Sequence, residues 1–239
     1  MGAVGAARGA VRLDRGGAQV TTHITDCLRV YECDLQPGRF GRDHDGGYVL
    51  FMLPVPYDAF LSGGVCGDNS FERAVLDAHQ SLACSAFDPA GVDGEPHERY
   101  AFHADPVPPL WNDASQNALV KLDIEGGEWE WLRQSELSGV AQLVIELHSP
   151  HLELWDWACV DKICDTHVLV HAHGNNWDGI VDIDGVRVPG TLETTWVRRD
   201  LAGPVRPNTQ PIPGPLDMPN RIGVADHVLD WAPFVGWKP

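Results

Sequence analysis

The chain has 239 residues, of which 44% are hydrophobic and 21% are charged, a composition typical of a globular protein with a full core. Its formal net charge of −17 argues against nucleic acid as a partner, because so acidic a surface repels a phosphate backbone. No stretch approaches the ~18 apolar residues of a membrane span, and we expect neither a signal sequence nor a membrane partner.

The sequence also bounds the compartment and the domain organisation. Six cysteines occur without a C-x-x-C pair, which predicts neither a disulfide framework nor a zinc site. Reduced thiols of this kind are typical of a cytoplasmic protein. Residues 1–20 are predicted to be a flexible tail, and residues 21–239 a single domain with a proline-rich wrap at 201–239.

Strand-like and helix-like segments alternate between residues 58 and 200, as in a parallel sheet flanked by helices. Before them, DGGYVL (45–50) either closes over a ligand or forms a tight hairpin turn. The predicted strands are 58–65, 82–88, 100–103, 118–124, 142–148, 167–173 and 191–197. The predicted helices are about 70–79, 127–134 and 151–165, with a loop or hairpin over 175–189. At the first helix, Asn69 and Glu72 are predicted to form a capping box.

A glycine loop separates the first of these strands from its helix and includes Gly63, Gly64, Val65 and Gly67. Glycines allow the backbone to approach a ligand, and the amides at a helix N-terminus favour a carboxylate or phosphate, although such loops also occur without a ligand. Asp88 ends the next strand. A carboxylate there either accepts hydrogen bonds from both ribose hydroxyls or caps a turn before proline. The two features together favour an adenosine-type ligand.

Acidic and imidazole side chains end the later strands. Asp123 ends one strand, and Glu146 and His148 alternate onto one face at the end of the next. His171 and His173 do the same in theirs. Asp123, His148 and His173 are therefore predicted to converge as the catalytic groups, with an imidazole acting as a base near neutral pH. Asp123, Glu146 and His148 also offer a mixed oxygen and nitrogen site for a divalent cation.

Several stretches together resemble the FkbM-like group of S-adenosylmethionine-dependent methyltransferases. They are RFGRDHDGGYVL (39–50), SGGVCGDNSFE (62–72), KLDIEGGEWEWL (121–132), LVIELH (143–148), HAHGNN (171–176), TLETTWV (191–197) and LDMPN (216–220). The resemblance covers roughly residues 39 to 220. It implies an α/β fold with a doubly wound, mostly parallel seven-stranded sheet of the Rossmann-like class I methyltransferase type, in which the last strand is antiparallel.

The same resemblance implies where a methyl donor binds and what it does. The methionine end of S-adenosylmethionine would lie at Gly64 to Asp68, with Gly63 and Gly67 in the same loop, and the ribose would lie at Asp88. The usual reaction of the group is O-methylation of a sugar or another small hydroxylated molecule. This chain departs from the group at Cys66, where relatives commonly have the second glycine of the loop. A side chain at that position crowds the cofactor if the backbone there needs a positive φ.

We therefore expect an S-adenosylmethionine-dependent O-methyltransferase acting on a small-molecule or sugar hydroxyl. His148 or His173 is the candidate base, and Asp123 either orients it or shares a divalent cation such as Mg²⁺. Two alternatives stay open. One is a non-catalytic binding module with a methyltransferase fold, and the other is a metal-dependent hydrolase that uses His171 and His173. Tryptophans such as Trp177 are candidates for stacking on a sugar or for ordinary packing.

Overall fold

A computed structural model describes residues 24–110, 115–149, 157–183 and 185–238. The strands, in chain order, are β1 Tyr31–Cys33, β2 Pro37–Gly41, β3 Gly47–Phe51, β4 Ala59–Gly63, β5 Cys84–Phe87, β6 Tyr100–His103, β7 Ala118–Leu122, β8 Val140–His148, β9 His167–Gly174, β10 Ile180–Ile183, β11 Val186–Pro189, β12 Thr191–Arg198 and β13 Val205–Pro207. The helices are α1 Ile24–Cys27, α2 Ser70–Ala78, α3 Glu128–Gln134, α4 Trp157–Thr166 and α5 Arg199–Ala202. The predicted tail (1–20) and the start of the helix predicted over 151–165 lie outside the described residues.

Seven strands form the central sheet in the order β6-β5-β4-β7-β8-β12-β9. The first five of these pair in parallel, whereas β12 is antiparallel to both of its neighbours, β8 and β9. The chain winds outward in one direction from β4 and in the other direction from β7, so the topology switches between these two strands. The predicted doubly wound, mostly parallel seven-stranded sheet with an antiparallel last strand is confirmed.

Helices cover both faces of this sheet. All five residues of β7 are buried, which explains why the strand is nearly continuously apolar rather than alternating. On one face, α3 and α4 contribute Trp129 and Ile163 to the largest apolar cluster. On the other face, α2 contributes Phe71 and Leu76 to a second cluster. This packing fixes the carboxyl ends of β4, β5, β7 and β8 at one edge.

Three antiparallel pairs lie outside the central sheet. The segment 45–50 belongs to a hairpin made by β2 and β3, and the segment 175–189 contains a hairpin made by β10 and β11. The pair β1–β13 ties the chain after α5 to its beginning, and residues 208–238 then continue without helix or strand. Among the described residues, no helix is long and apolar enough to cross a membrane.

Helix α2 begins differently from the sequence prediction. The amide of Asn69 exchanges hydrogen bonds with the backbone of Glu95, at 2.6 and 3.0 Å, and makes no cap bond. The carboxylate of Glu72 accepts a hydrogen bond from the hydroxyl of Ser62 at 2.5 Å. Asp68 instead accepts the backbone N–H of Ser70 at 3.1 Å. The predicted capping box is wrong, because tertiary contacts engage both of its side chains.

Candidate functional site

A cavity of about 620 Å³ lies at the carboxyl ends of β4, β5, β7 and β8, at the topological switch point. Its volume is within the roughly 300–1,000 Å³ range of small-molecule sites. The predicted site residues that line it are Gly64, Val65, Asp68, Asp88, Asp123, Glu146 and His148. Gly63, Gly67 and His173 are not among its lining residues.

The glycine loop lies directly against the end of β7. Gly63 accepts the backbone N–H of Asp123 at 3.1 Å, and Gly64 donates its own N–H to Phe87 at 3.0 Å. Gly64 has φ +79°, and a Cβ added to it would lie 1.6 Å from the carbonyl oxygen of Asp123. Gly67 also has a positive φ, of +80°. The loop can therefore follow this path only with glycine at Gly64.

Asp88 is buried, with 6% of its surface exposed, and it binds the same loop. Its Oδ2 accepts the backbone N–H groups of Val65 and Cys66, at 3.1 and 2.6 Å, and its Oδ1 accepts that of Ala90 at 2.8 Å. The turn-capping alternative is therefore present in the structure, on a side chain that also lines the cavity. With three of about four acceptor positions in use, Asp88 has room for one ribose hydroxyl rather than two.

Cys66 is an exposed residue of this loop with φ +46°, the left-handed conformation that glycine adopts at lower cost. Cys66 lines the cavity, so a residue other than glycine here both strains the backbone and narrows the cavity beside the loop.

We expect Cys66→Gly to raise the free energy of unfolding by about 1 kcal/mol, because glycine relieves the positive φ. The same change should widen the cavity beside the loop. Urea denaturation checks the stability, and calorimetric titration with S-adenosylhomocysteine checks the affinity. A loss of stability in this variant would mean that the thiol makes contacts worth more than the strain.

Asp123 follows β7 and is the best-connected carboxylate of the cavity. Its Oδ2 accepts the phenol hydroxyl of Tyr48 at 2.8 Å and lies 3.8 Å from Nζ of Lys121. Its Oδ1 lies 3.8 Å from Nε2 of His148. Burial acts to raise the pKa of Asp123, but the charge of Lys121 and the hydrogen bonds from Glu146 and Tyr48 outweigh it and lower the pKa. Asp123 is thus ionised at neutral pH.

His148 ends β8 and is oriented by a carboxylate behind it. Its Nδ1 lies 3.2 Å from Oε1 of Glu128, which also accepts the backbone N–H of His148 at 2.8 Å. Nε2 faces Asp123 and Glu125, the latter at 3.6 Å. Burial alone would lower the pKa of His148, but the hydrogen bond and charge of Glu128, with the charges of Asp123 and Glu125, raise it. A proton on Nδ1 directed at Glu128 leaves Nε2 as the nitrogen that can exchange a proton in the cavity.

Glu146 completes a compact set of potential metal ligands. One ligand atom each of Asp123, Glu146 and His148 lies within 4.8 Å of the others, and this is the one such group among the described residues. Burial, followed by the charges of Asp123 and Glu193, raises the pKa of Glu146 well above its usual range. Oε1 of Glu146 accepts a hydrogen bond from the side-chain amide of Asn175 at 2.7 Å.

The H-x-H pair has a different position from the one predicted. His173 is 1% exposed, and its two ring nitrogens lie 3.0 Å from Glu193 and 3.1 Å from Asp226. His171 contacts Asp217 at 2.8 Å and lines a separate apolar cavity. The predicted convergence of His173 with Asp123 and His148 does not occur. Both histidines instead bind carboxylates, two of them in the C-terminal segment 208–238.

We expect the ion pairs of His173 to make folding stability dependent on pH. Burial acts to lower the pKa of His173, but its hydrogen bonds to Asp226 and Glu193 raise it to about 10. Because this pKa is raised above that of the unfolded chain, the contribution is complete below about pH 6.5 and is lost as the pH rises toward 10.

The loss amounts to roughly 1.4 kcal/mol for each pH unit in the middle of that window, or about 2.5 kcal/mol between pH 7 and pH 9. Urea unfolding of the wild type and of His173→Gln at both pH values measures the difference. Equal pH dependence in the two proteins would show that His173 is not the titrating group.

The lining also includes Arg42, Glu72 and Lys121, which were not predicted as site residues from the sequence, and Tyr48, from the DGGYVL segment predicted either to close over a ligand or to form a hairpin. Lys121 had a visible signal, because a lysine inside an otherwise apolar strand needs a buried partner. Its Nζ donates to the carbonyl oxygens of Gly63 and Gly64, at 3.2 and 2.5 Å. Tyr48 and Arg42 reach the cavity from the β2–β3 hairpin, which makes DGGYVL both a hairpin and a wall of the site.

The cavity is strongly acidic. Its lining includes three basic side chains, Arg42, Lys121 and His148, against eight carboxylates. These are Asp45, Asp68, Glu72, Asp88, Asp123, Glu125, Glu146 and Asp178. A field of this sign attracts cations and opposes phosphates.

Comparison with known proteins gives distant structural matches. No protein-family profile matches the sequence, and no curated protein matches it. The fold is similar to the fibrillarin/Nop5p complex, with 6% identity over 59% of this chain and 72% of that chain and a TM-score of 0.38. It is also similar to a mutant of the 16S rRNA (adenine(1408)-N(1))-methyltransferase from Catenulisporales acidiphilia (12% identity, 59% and 84%, TM-score 0.33). A third match is M. capricolum TrmK in complex with S-adenosylhomocysteine (8% identity, 59% and 62%, TM-score 0.33).

Membership of the FkbM-like group stays a prediction. The fold is assigned from the strand order of the central sheet. In this sheet the antiparallel last strand, β12, lies between β8 and β9, next to five parallel strands. By this strand order the chain has a Rossmann-like, class I methyltransferase fold.

Proposed function

We propose that the protein is an S-adenosylmethionine-dependent methyltransferase that methylates a hydroxyl oxygen of a small molecule or sugar. The observation that supports this best is the composition of one cavity at the switch point. The glycine loop with Asp88 forms one side of it, and Asp123 with His148 forms the other. A donor bound along the loop would direct its reactive end toward the two groups that can manage a proton.

The charge of the cavity supports this donor over a nucleotide. S-adenosylmethionine has a sulfonium and an ammonium group and no phosphate, which suits a cavity with eight carboxylates and three basic side chains. Among the described residues, the loop is also short of anion-binding amides, because Val65 and Cys66 already donate theirs to Asp88.

The chemistry assigned to this chain is the removal of one proton. When bound, S-adenosylmethionine supplies a methyl group on a sulfonium and leaves as the neutral thioether. His148 accepts the proton of the attacking hydroxyl at Nε2 while Glu128 holds the ring at Nδ1. Asp123, 3.8 Å from Nε2, stabilises the imidazolium that results. Such base catalysis contributes about 10²–10⁴-fold to a rate.

Asp123, Glu146 and His148 also fit a divalent cation. A cation held by these three side chains would lower the pKa of a bound hydroxyl. The imidazole ligand favours Mn²⁺ or Zn²⁺ over Mg²⁺, which prefers oxygen ligands alone. His148 cannot bind a cation and accept a proton through the same nitrogen. A cation-bound site and a site in which His148 is the general base are therefore alternatives. Calorimetric titration with MnCl₂ and MgCl₂ distinguishes them.

The acceptor side is proposed to bind a hydroxylated, uncharged or cationic molecule. Trp177 lines the cavity with 58% of its surface exposed, and the guanidinium of Arg221 lies 5.0 Å from its ring centroid. An exposed indole next to Asp178 suits a sugar, because the sugar ring can stack on the indole while its hydroxyls donate hydrogen bonds to the carboxylate. The carboxylates of the cavity disfavour RNA, which serves as the comparison acceptor in a methyl-transfer screen that begins with sugars.

Donor binding tests the proposal first. We expect calorimetry to give micromolar affinity for S-adenosylmethionine and S-adenosylhomocysteine and no binding of ATP, because the cavity repels its phosphates. Binding of ATP in preference to the donor would overturn the proposal. Donor binding without transfer to any acceptor would favour the non-catalytic module, and metal-dependent hydrolysis without the donor would favour the hydrolase.

A further inference from the structure

We propose that Glu72 is the binding residue for the α-ammonium group of the methyl donor. The inference rests on the proposed function and assigns one contact within it. Glu72 lies in the first turn of α2, directly after the glycine loop, and it lines the cavity.

The carboxylate of Glu72 is only half used within the protein. The residue is 1% exposed, and its Oε1 accepts the hydroxyl of Ser62 at 2.5 Å. Its Oε2 is buried and has no hydrogen-bond partner among the described residues. A buried acceptor of this kind is destabilising, and more so when charged, unless a donor reaches it. Since Glu72 faces the cavity, a ligand can supply that donor.

The neighbouring acceptors are already occupied, which directs a cation to Glu72. The carbonyl oxygens of Gly63 and Gly64 end the strand next to the cavity and are the obvious alternatives for an ammonium group. Both accept Nζ of Lys121, at 3.2 and 2.5 Å. An ammonium group placed at these carbonyls would also lie against the charge of Lys121. Oε2 of Glu72, in contrast to these two carbonyl oxygens, has no donor within the described part of the chain.

The electrostatics of Glu72 leave room for a further positive charge beside that of Lys121. Burial raises the pKa of Glu72, although the charge of Lys121 and the hydrogen bond from Ser62 act in the opposite direction. An ammonium group at Oε2 would favour the ionised form and form a charge-assisted hydrogen bond, which is about twice as strong as a neutral one. The ligand class is therefore a primary ammonium on an amino-acid moiety.

The test compares two ligands that differ in the amino-acid end. S-adenosylhomocysteine has the ammonium group, and 5′-methylthioadenosine lacks the whole amino-acid moiety. We expect Glu72→Gln to lower the affinity for S-adenosylhomocysteine about 10- to 100-fold, the usual effect of losing a charged hydrogen bond. The affinity for 5′-methylthioadenosine should change by less than about twofold. Gln keeps an oxygen for Ser62, so the fold is preserved. Glu98→Gln, an equal charge change at an exposed residue that does not line the cavity, is the matched control and should leave both affinities within about twofold of wild type.

Three results would overturn the inference. In the first, Glu72→Gln binds S-adenosylhomocysteine as tightly as the wild type does. In the second, both ligands weaken equally, which indicates a structural role for Glu72. In the third, wild-type protein binds neither ligand, in which case the proposed function fails as well. If the variant does not fold, the deaminated analogue of S-adenosylhomocysteine on wild-type protein replaces it, and equal affinity of analogue and parent would overturn the inference.

Discussion

Asp123→Asn should lower kcat for methyl transfer by at least about 100-fold while S-adenosylhomocysteine binds within about threefold of its wild-type affinity. The carboxylate stabilises positive charge on His148, whose Nε2 is 3.8 Å from its Oδ1, and an amide cannot do this. The interaction strengthens only when His148 takes up a proton, so its loss reduces kcat rather than donor affinity. Methyl-transfer kinetics and calorimetry on the same preparation measure the two quantities.

The control for this variant is Glu125→Gln, which removes an equal charge from an exposed side chain 3.6 Å from the same Nε2. Solvent screens an exposed carboxylate, so we expect its kcat to fall by less than about fivefold. Asp123 also lies 3.8 Å from the buried Nζ of Lys121, and the melting temperature of Asp123→Asn must therefore be measured alongside. A folded Asp123→Asn enzyme with wild-type kcat would remove Asp123 from the chemistry.

The sheet could be predicted from the sequence because its strands are marked by local composition. β7 and β8 are apolar and buried along nearly their whole length, and glycine or proline residues follow several of the strands. The capping box was not predictable in the same way. Asn69 and Glu72 have the right spacing, but the backbone of Glu95 and the hydroxyl of Ser62 offer them better partners, and neither is visible locally.

The site was predictable where it depends on adjacent parallel strands. Asp123 and His148 end β7 and β8, which are neighbours, so their side chains meet. His173 ends β9, and the antiparallel strand β12 lies between β8 and β9. That insertion puts β9 two strand spacings from β8, or about 9–10 Å, which is too far for His173 to join the pair. The strand order is a property of the whole fold, and the alternation of segments along the chain does not reveal it.

The contacts that Tyr48 and Glu72 make in the site could not be predicted from the local sequence. Tyr48 donates to Asp123 from the β2–β3 hairpin, across 75 positions of sequence. Glu72 is visible in the sequence, but only its unpartnered oxygen in the folded chain distinguishes it from an ordinary first-turn glutamate. Contacts of this kind depend on packing between distant segments. For this reason the carboxylate and imidazole groups of the site could be predicted from the sequence, whereas their hydrogen-bond partners could not.

Gly64→Ala should lower the free energy of unfolding by about 3–5 kcal/mol and abolish binding of S-adenosylhomocysteine. The new Cβ would lie 1.6 Å from the carbonyl oxygen of Asp123 and 2.6 Å from its carbonyl carbon. Both are backbone atoms of a residue at the end of a buried central strand, so they cannot move aside as a flexible side chain would. The loop must therefore separate from β7, and the cavity loses the wall along which the donor is proposed to lie.

The variant Gly126→Ala distinguishes the effect of this steric contact from the effect of a positive φ alone. Gly126 has φ +96°, but a Cβ added there meets no atom within 4 Å, so only the cost of a positive φ applies, about 1–2 kcal/mol. Urea denaturation and calorimetry on both variants should give a large loss with no donor binding for Gly64→Ala and a small loss with binding retained for Gly126→Ala. Equal losses would mean that strain alone governs these positions. Retained binding in a folded Gly64→Ala protein would mean that the close approach of the loop to β7 is not needed for the donor, because the site would then tolerate a displaced loop.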